Sequence, residues 1–503
     1  MSLLGIDVGT SGCKSAVFSE TGQLLSLAYE EYDYLRPQPG WAELDARLVW
    51  ALIKRTIHKA ATGSAPFHDP IRALCVSSLG EAVVPVNAER EILGPSLLNF
   101  DIRGDEYLTD LKDNISAQRH YQINGNSIGS PYSLTKLKWL KQYQPDLYRC
   151  TTSFLHWSGL VSFLLGADPH VDFSLANRTL LFDLDQGDWS QELLAWAGLD
   201  QDKLPAAIPS GQVTGAVSAA VAAELGIPAG IPIISGGHDQ CCSAVGCGVI
   251  EPGRAMYGMG SFLCMTPVYS ERPAAGAMIE RGLNTEHHVV SGQYVSFIYN
   301  QGGILVKWFR DTFARAEHEQ ALQTGQDIYP ALFAELPAAP GRVVVLPHFA
   351  ITGPPRFIQD SSGVIAGLKL ATSRGEILKG IIESTSFYLR ENLENLTGTG
   401  IAIDSFCAVG GGSKSAAWVQ TCADILGRPF IRPKVNEAGV LGAALLAGVG
   451  SGLFPSINHG VEAMVHMDQR FDPDPRKQQV YEQRYQKYRQ LYPLLADYLQ
   501  DLA

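Results

Sequence analysis

Short apolar runs broken by glycine turns open the chain, and farther along the apolar spacing switches from a period of two to about 3.6 residues. Leu3, Leu4 and Ile6 lead into Asp7 and the small-residue turn Gly9-Thr10-Ser11-Gly12. Residues 15–18 and, past Glu20-Thr21-Gly22-Gln23, residues 24–32 follow as further strands. That order predicts an antiparallel meander. Beyond Pro37-Gln38-Pro39-Gly40, Asp45 is placed to cap a helix with Leu48, Val49, Leu52, Ile53 and Ile57 on its inner face. Strands are predicted over 71–77, 83–86 and 231–234, with a helix around 134–140.

Half-way down the chain the opening pattern returns as a strand, the turn Gly258-Met259-Gly260-Ser261 and another strand. Residues 406–409 then run into Gly410-Gly411-Gly412-Ser413 and a helix over 416–426, stopped by Gly427. Ser373-Arg374-Gly375-Glu376 offers a capping box for a helix turning Ile377, Leu378, Ile381 and Ile382 inward. Tyr481, Tyr485, Tyr488 and Tyr492 share one helical stripe, read as a packing face. The alternation of strands and helices predicts an α/β protein, and no long linker divides it, so its domains dock closely.

Composition narrows the function. An apolar share of 46% and a charged share of 18% exclude disorder. A net charge of −12 argues against a nucleic-acid or anionic-membrane binder, so any phosphate site is local. Nine cysteines form no CxxC pair and read as reduced core thiols of a cytoplasmic protein. The early apolar run is interrupted by Asp7 before it resembles a signal-peptide core. Residues 440–454 are too short and glycine-rich for a membrane span and read as a packed helix with its exit turn.

The opening turn suits phosphate: Gly9 and Gly12 let backbone N–H groups approach an anion, Thr10 and Ser11 add donors, Lys14 adds charge, and Asp7 can hold a hydrated divalent cation. A hairpin with an incidental acid is the plainer alternative. Its echo at Gly258, Gly260 and Ser261 suggests two related halves closing on a nucleotide, against two unrelated hairpins. Gly410, Gly411 and Gly412 open a helix against a ligand or against its own strand, with neither Walker nor Rossmann spacing. Asp239, at the end of the 231–234 strand segment after Gly236 and Gly237, can accept a hydroxyl proton while Gln240 orients the substrate; capping the next helix is the alternative. His238 reads as a neighbour, and His287 and His288 lack zinc spacing.

These residues carry a resemblance to the FGGY carbohydrate kinases. It rests on Gly5 to Lys14, Pro39-Gly40-Trp41-Ala42-Glu43, Asp172-Phe173-Ser174 with Arg178-Thr179, Gly237-His238-Asp239-Gln240, and Tyr257 to Ser261. Residues 363–368, Gly410 to Ser413 and residues 439–444 match as well, in the family's order. The resemblance implies an α/β fold of two ribonuclease H-like (actin-like ATPase) domains, 1–246 and 247–503, around a catalytic cleft. It further implies Asp239 as base, Asp7 as the acid organising Mg2+ through water, and Gly9 to Ser11 with Gly258 to Ser261 as phosphate loops. Gly410 to Ser413 falls on the adenine and ribose pocket, and Gly303 and Lys307 on another nucleotide-side element. On the sugar side, Glu81 matches the second residue of the Arg-Glu pair of glycerol kinases, while Gly80 matches neither that pair nor the Met-His pair of xylulokinases. Tyr132 resembles a polyol contact, and Asp101 and Arg103 fall where ketose kinases carry Asp-x-Arg.

The implied activity is ATP-dependent phosphorylation of a primary hydroxyl on a small sugar or polyol, foremost a ketopentose such as xylulose. Glycerol, a tetritol or an aldonate are the alternatives, and a homodimer is left open. A binding module that has lost turnover is the reading from another class; Asp7 and Asp239 speak against it. The chain departs from the family at Met259, where relatives often carry threonine, and at Thr352-Gly353-Pro354-Pro355, which lacks charge.

Overall fold

The computed structural model describes residues 1–502. Strands β1 (Ser2–Val8), β2 (Gly12–Ser19) and β3 (Leu24–Glu31) form the expected antiparallel meander, with Asp7 opposite Lys14 and Val8 opposite Cys13. Helix α1 (Ala46–Ser64) covers β2 and β3 and starts where Asp45 accepts the N–H groups of Arg47 and Leu48 at 3.1 Å. Val49, Ile53 and Ile57 are buried as predicted. Leu48 is instead 51% exposed, and Ala60 and Ala61 complete the buried face. Strand β4 (Ile71–Ser78) runs parallel to β1. After α2 (Ser133–Tyr143) and α3 (Phe173–Asn177), β5 (Pro232–His238) runs parallel to β4 and feeds α4 (Asp239–Gly246). The sheet order is β3-β2-β1-β4-β5, with Val213–Ala216 on the far edge.

The second half repeats this order. Strands β6 (Gly253–Met259) and β7 (Phe262–Tyr269) are antiparallel. The short β8 (Glu286–His287) belongs to the same sheet, and β9 (Ile298–Gln301) pairs antiparallel with β7. Helices α5 (Gly303–Phe313) and α6 (Arg374–Asn395) precede β10 (Ile403–Val409), which runs parallel to β6. Helix α7 (Ala416–Leu426) ends on Gly427 and leads to β11 (Phe430–Pro433), parallel to β10. The order β9-β7-β6-β10-β11 matches the first sheet strand for strand, so the echo in the sequence is a duplicated ribonuclease H-like sheet.

The capping box of α6 is complete: Ser373 Oγ accepts from Glu376 N, and Glu376 accepts from Ser373 N at 2.8 Å. Helices α8 (Ala438–Gly450) and α9 (Pro475–Leu502) finish the chain. Tyr481, Tyr485 and Tyr488 of α9 pack around Phe387, and their hydroxyls include donors to Glu383 and Glu394. No helix among the described residues is long and apolar enough to cross a membrane.

The halves are joined by α8, which comes from the second half of the sequence yet lies on β1 and β4 of the first sheet and against α4. Glycine makes this possible. A Cβ on Gly5 would stand 1.9 Å from Val440 O, one on Gly246 1.9 Å from Ala438 O, and one on Gly442 1.8 Å from Cys242 O. No side chain fits where backbones meet this closely. Gly442→Ala and Gly246→Ala are each expected to lose at least about 2 kcal/mol of stability in urea unfolding. Gly276→Ala, in the short helix Ala275–Glu280 with nothing within 4 Å of the added carbon, should change it by less than about 1 kcal/mol.

Candidate active site

Each glycine turn is braced from behind. In the first, Gly9 N–H donates to Gly12 O at 2.9 Å, and the Tyr32 hydroxyl donates to Gly9 O at 2.6 Å. The turn's carbonyls are thus engaged on the protein side, while Thr10 is half-buried and Ser11 exposed. Lys14 does not stand free: its Nζ is 2.5 Å from Oε2 of Glu437, the residue before α8. In the second turn, Gly260 N–H donates to Phe262 O at 3.1 Å. The start of α5 docks on it, with Gly303 N–H donating to Gly260 O at 2.9 Å and Ile304 N–H to Ser261 O at 3.0 Å. A Cβ on Gly303 would lie 2.4 Å from Gly260 O. Lys307 is exposed one turn into the same helix.

The triple glycine packs against this second turn. Gly410 has φ +88° and lies over the Met259 backbone, and a Cβ on Gly412 would be 3.0 Å from Met259 Cβ. The Met259 side chain itself is buried in the core. Gly411 has open space where a Cβ would stand, so it is the glycine presented outward. Ser413 is buried, and its hydroxyl donates to Gly410 O at 2.7 Å, shaping the loop from inside.

Two carboxyls meet where α4 and α8 begin. The cap position of α4 is His238, which makes Asp239 the first helical residue rather than the cap. Burial, and then the charge of Asp7, push the Asp239 carboxyl up to about 7, against the pull of Gln240's N–H groups. Asp7 is raised by burial too, offset by Ser77, whose hydroxyl donates to it at 2.5 Å, and by Lys14. A Cβ on Gly439 would be 3.2 Å from Asp7 Oδ2, so nothing stands between that carboxylate and the first turn of α8. Two half-buried acids, with the charge of Asp7 raising Asp239, suit a hard divalent cation that keeps most of its waters. No cage of three or more His, Cys, Asp or Glu groups exists among the described residues.

A second cluster centres on a residue to which sequence reasoning attached no role. Arg178, just after α3, donates through Nη2 to Glu81 and through Nη1 to Glu286, and its guanidinium lies 5.0 Å from the Tyr132 ring centre. Its partners are 97 and 108 residues away in the chain, so no local spacing marks it. Gly80 packs close against this cluster: a Cβ there would be 3.2 Å from both Arg178 Nε and His238 Nε2. His238 stays neutral through burial and the charge of Arg178, with Nε2 3.3 Å from Asp239 Oδ1. The Tyr132 hydroxyl donates to Asn126 Oδ1 at 3.0 Å. Asp239 feels the charge of Glu81, and Cys264 on β7 feels both Asp239 and Arg178, so the second sheet faces the same cleft. Gln240 is half-buried beside Asp239. Asp101 and Arg103 close on themselves: Arg103 is buried, donates to Asp101 and to Glu43 at 2.6 Å each, and stacks 4.1 Å from the Trp41 ring centre.

A duplicated sheet with a braced glycine turn in each half, and an elevated acid between them, defines an actin-like ATPase fold equipped for phosphoryl transfer. The FGGY family of carbohydrate kinases matches the chain with its N-terminal domain over residues 2–246 and its C-terminal domain over 264–451. The chain belongs to that family and is a carbohydrate kinase, a phosphotransferase with ATP as phosphate donor. It is 28% identical over 508 residues to autoinducer-2 kinase of Salmonella typhimurium, covering 97% of this chain and 94% of that one. The xylulose kinase structure from Rhodospirillum rubrum superposes with a TM-score of 0.86 at 25% identity, over 99% of this chain and 100% of that one. Plasmodium falciparum glycerol kinase with ADP shares the fold, with a TM-score of 0.83 at 19% identity over 97% of each chain.

An acid whose folded pKa is raised costs stability once the unfolded chain ionises, from about pH 4, and the full cost is reached above about pH 7. Asp239→Asn is therefore expected to gain stability over the parent between pH 4 and 7, with a constant gap above. Urea unfolding across that range checks it; a gap independent of pH would return the carboxyl to its ordinary range.

Proposed function

We propose that the protein transfers the γ-phosphoryl group of ATP to a primary hydroxyl of a small neutral sugar or polyol, foremost a ketopentose such as xylulose. The observation that carries this reading is the Asp239 carboxyl, lifted to about 7 at the end of β5 within the fields of Asp7 and Glu81. An acid poised near working pH can take the acceptor's proton as its oxygen attacks phosphorus. The backbone of both glycine turns and Lys14 would meet the phosphates, Gly303 and Lys307 would extend that surface at the start of α5, and Gly410 to Gly412, shaped from inside by Ser413, would line the nucleoside side. Asp7, with Asp239 close by, would hold Mg2+ through water, and that ion when bound neutralises phosphate charge. Glu81, Tyr132 and Gln240 would meet the hydroxyls, with Gly80 leaving them room and Asp101 and Arg103 stiffening the wall behind.

Charge favours a neutral acceptor over an aldonate. Both guanidiniums on this side are each shared by two carboxylates, Arg178 by Glu81 and Glu286, Arg103 by Asp101 and Glu43. A substrate carboxylate would find neither guanidinium free, would meet in Lys136 an ammonium already held by Ser130 O, and would face Asp239 and Asp7 as well. Nine free cysteines and an ATP-consuming reaction suit a cytoplasmic enzyme.

A coupled ADP-release screen over ketopentoses, polyols, aldonates and autoinducer-2 tests the reading. A neutral acceptor is expected to exceed gluconate by at least about tenfold in kcat/KM, the worth of one uncompensated charge contact. A preference for gluconate overturns the neutral-acceptor assignment. With the best acceptor, Asp239→Asn should lower kcat by about 10²–10⁴, and the parent's kcat/KM should rise with pH through about 7 as the base ionises. Full activity in Asp239→Asn would rule out the base.

A further inference from the structure

Arg178 is launched from a rigid base. The N-cap of α3, Asp172, accepts from Ser174 N at 2.8 Å and from Ser174 Oγ at 2.5 Å, and that hydroxyl in turn accepts from His238 N at 2.9 Å. On the other side, Leu134 N–H at the head of α2 donates to Thr179 O at 2.9 Å. The backbone on either side of Arg178 is thereby tied to the strand end that carries Asp239.

Its two carboxylate partners come from different halves of the chain. Glu81 follows β4 of the first sheet. Glu286 lies on β8 of the second, yet β8 is docked onto the first half, with Thr285 N–H donating to Gly125 O at 2.8 Å and His287 N–H to Asn177 Oδ1 at 3.0 Å. Asn284 holds Glu286 from beside at 2.6 Å. Between the rings of Tyr132 and Phe297, at 5.0 and 5.7 Å, the guanidinium has one plane in which both carboxylates are reached.

The network is incomplete as it stands. Arg178 Nε, Glu286 Oε2, His238 Nδ1 and both ring nitrogens of His156 are buried without a hydrogen-bond partner. Orphaned polar atoms are rare in folded proteins, and here they gather around one cation beside the candidate base. Glu81 Oε1 is taken by Arg178, while its Oε2 accepts nothing among the described residues. Glu81 therefore keeps one acceptor oxygen for a ligand, and the fork of Arg178 decides where that oxygen points.

We infer that Arg178 is a positioning and specificity-determining residue of the acceptor site, locking Glu81 and Glu286 into one cluster so that Glu81 meets the acceptor hydroxyls at a fixed angle. The inference rests on the kinase reading above. The planar fork is required, since an ammonium in its place cannot hold two carboxylates in one plane.

Steady-state kinetics of Arg178→Lys, Arg178→Gln, Glu81→Gln and the double variant Arg178→Lys/Glu81→Gln test this, alongside thermal unfolding. Arg178→Lys is expected to raise the KM for the best neutral acceptor about tenfold or more, with the KM for ATP within about twofold of the parent. The double variant should be no worse than the worse single one, because both act through one contact. An acceptor KM within about twofold of the parent in both Arg178 variants overturns the inference, as does an equal rise in the KM values for ATP and acceptor. Should neither Arg178 variant fold, Glu286→Gln keeps the cation and removes one anchor; a severalfold rise in acceptor KM is expected, and an unchanged value overturns the inference. If the parent releases no ADP with any acceptor, the kinase reading fails and this inference falls with it; an active parent with indifferent variants sinks this inference alone.

Discussion

The cleft depends on how closely three backbones approach one another at the joint between the halves. Gly5 of β1, Gly246 of α4 and Gly442 of α8 each lie where a single added carbon would stand under 2 Å from a neighbouring carbonyl oxygen. The contact is non-directional, but its consequence is geometric. By drawing α8 onto the first sheet beside α4, it sets two helix N-termini next to one another, with Asp7 facing one and Asp239 opening the other. Helix N-termini carry positive partial charge, which favours two half-buried acids side by side with no Lys or Arg salt bridge to either. A looser joint would separate the acids and return Asp239 toward an ordinary carboxyl.

Charge on the two sides of the cleft is handled in opposite ways. Around the glycine turns the surface is mostly backbone: the turns themselves, a helix start docked on one of them, and the outward Gly411. Around Arg178 it is mostly side chain, and the guanidiniums of Arg178 and Arg103 are each shared between two carboxylates. The first arrangement suits an anion of high charge that must come and go; the second suits an uncharged molecule recognised by the direction of its hydroxyls.

Much of this was legible in the sequence because it is local. A strand, a glycine turn and a strand occupy a short contiguous stretch, and so does the strand, triple glycine and helix at 406–426; the turns and the 416–426 helix fall where expected, while the strands run farther, 12–19 instead of 15–18 and from 403 instead of 406. The capping box at Ser373 and the tyrosine stripe at 481–488 were equally local. What escaped was long-range. Arg178 sits in a motif that marks the family, but its partners lie about a hundred residues away in each direction, and only the folded chain brings them together. Leu48 was placed on the inner face by period alone, and the sheet beneath α1 instead takes the small residues Ala60 and Ala61. Ser413 was expected at the ligand surface, and it is buried with its hydroxyl donating back to Gly410 O of its own loop.

The pairing of Lys14 with Glu437 gives the cleft an internal anion. Lys14 stands beside the first turn, and Glu437 stands just ahead of α8, so the two halves are bridged by an ion pair beside that turn. An incoming phosphate that takes Lys14 exchanges one anion for another, and the gain is the difference between two contacts rather than the whole of one. On the proposed assignment of Lys14 to the nucleotide phosphates, arrival of phosphate and release of the Glu437 carboxylate would be one event.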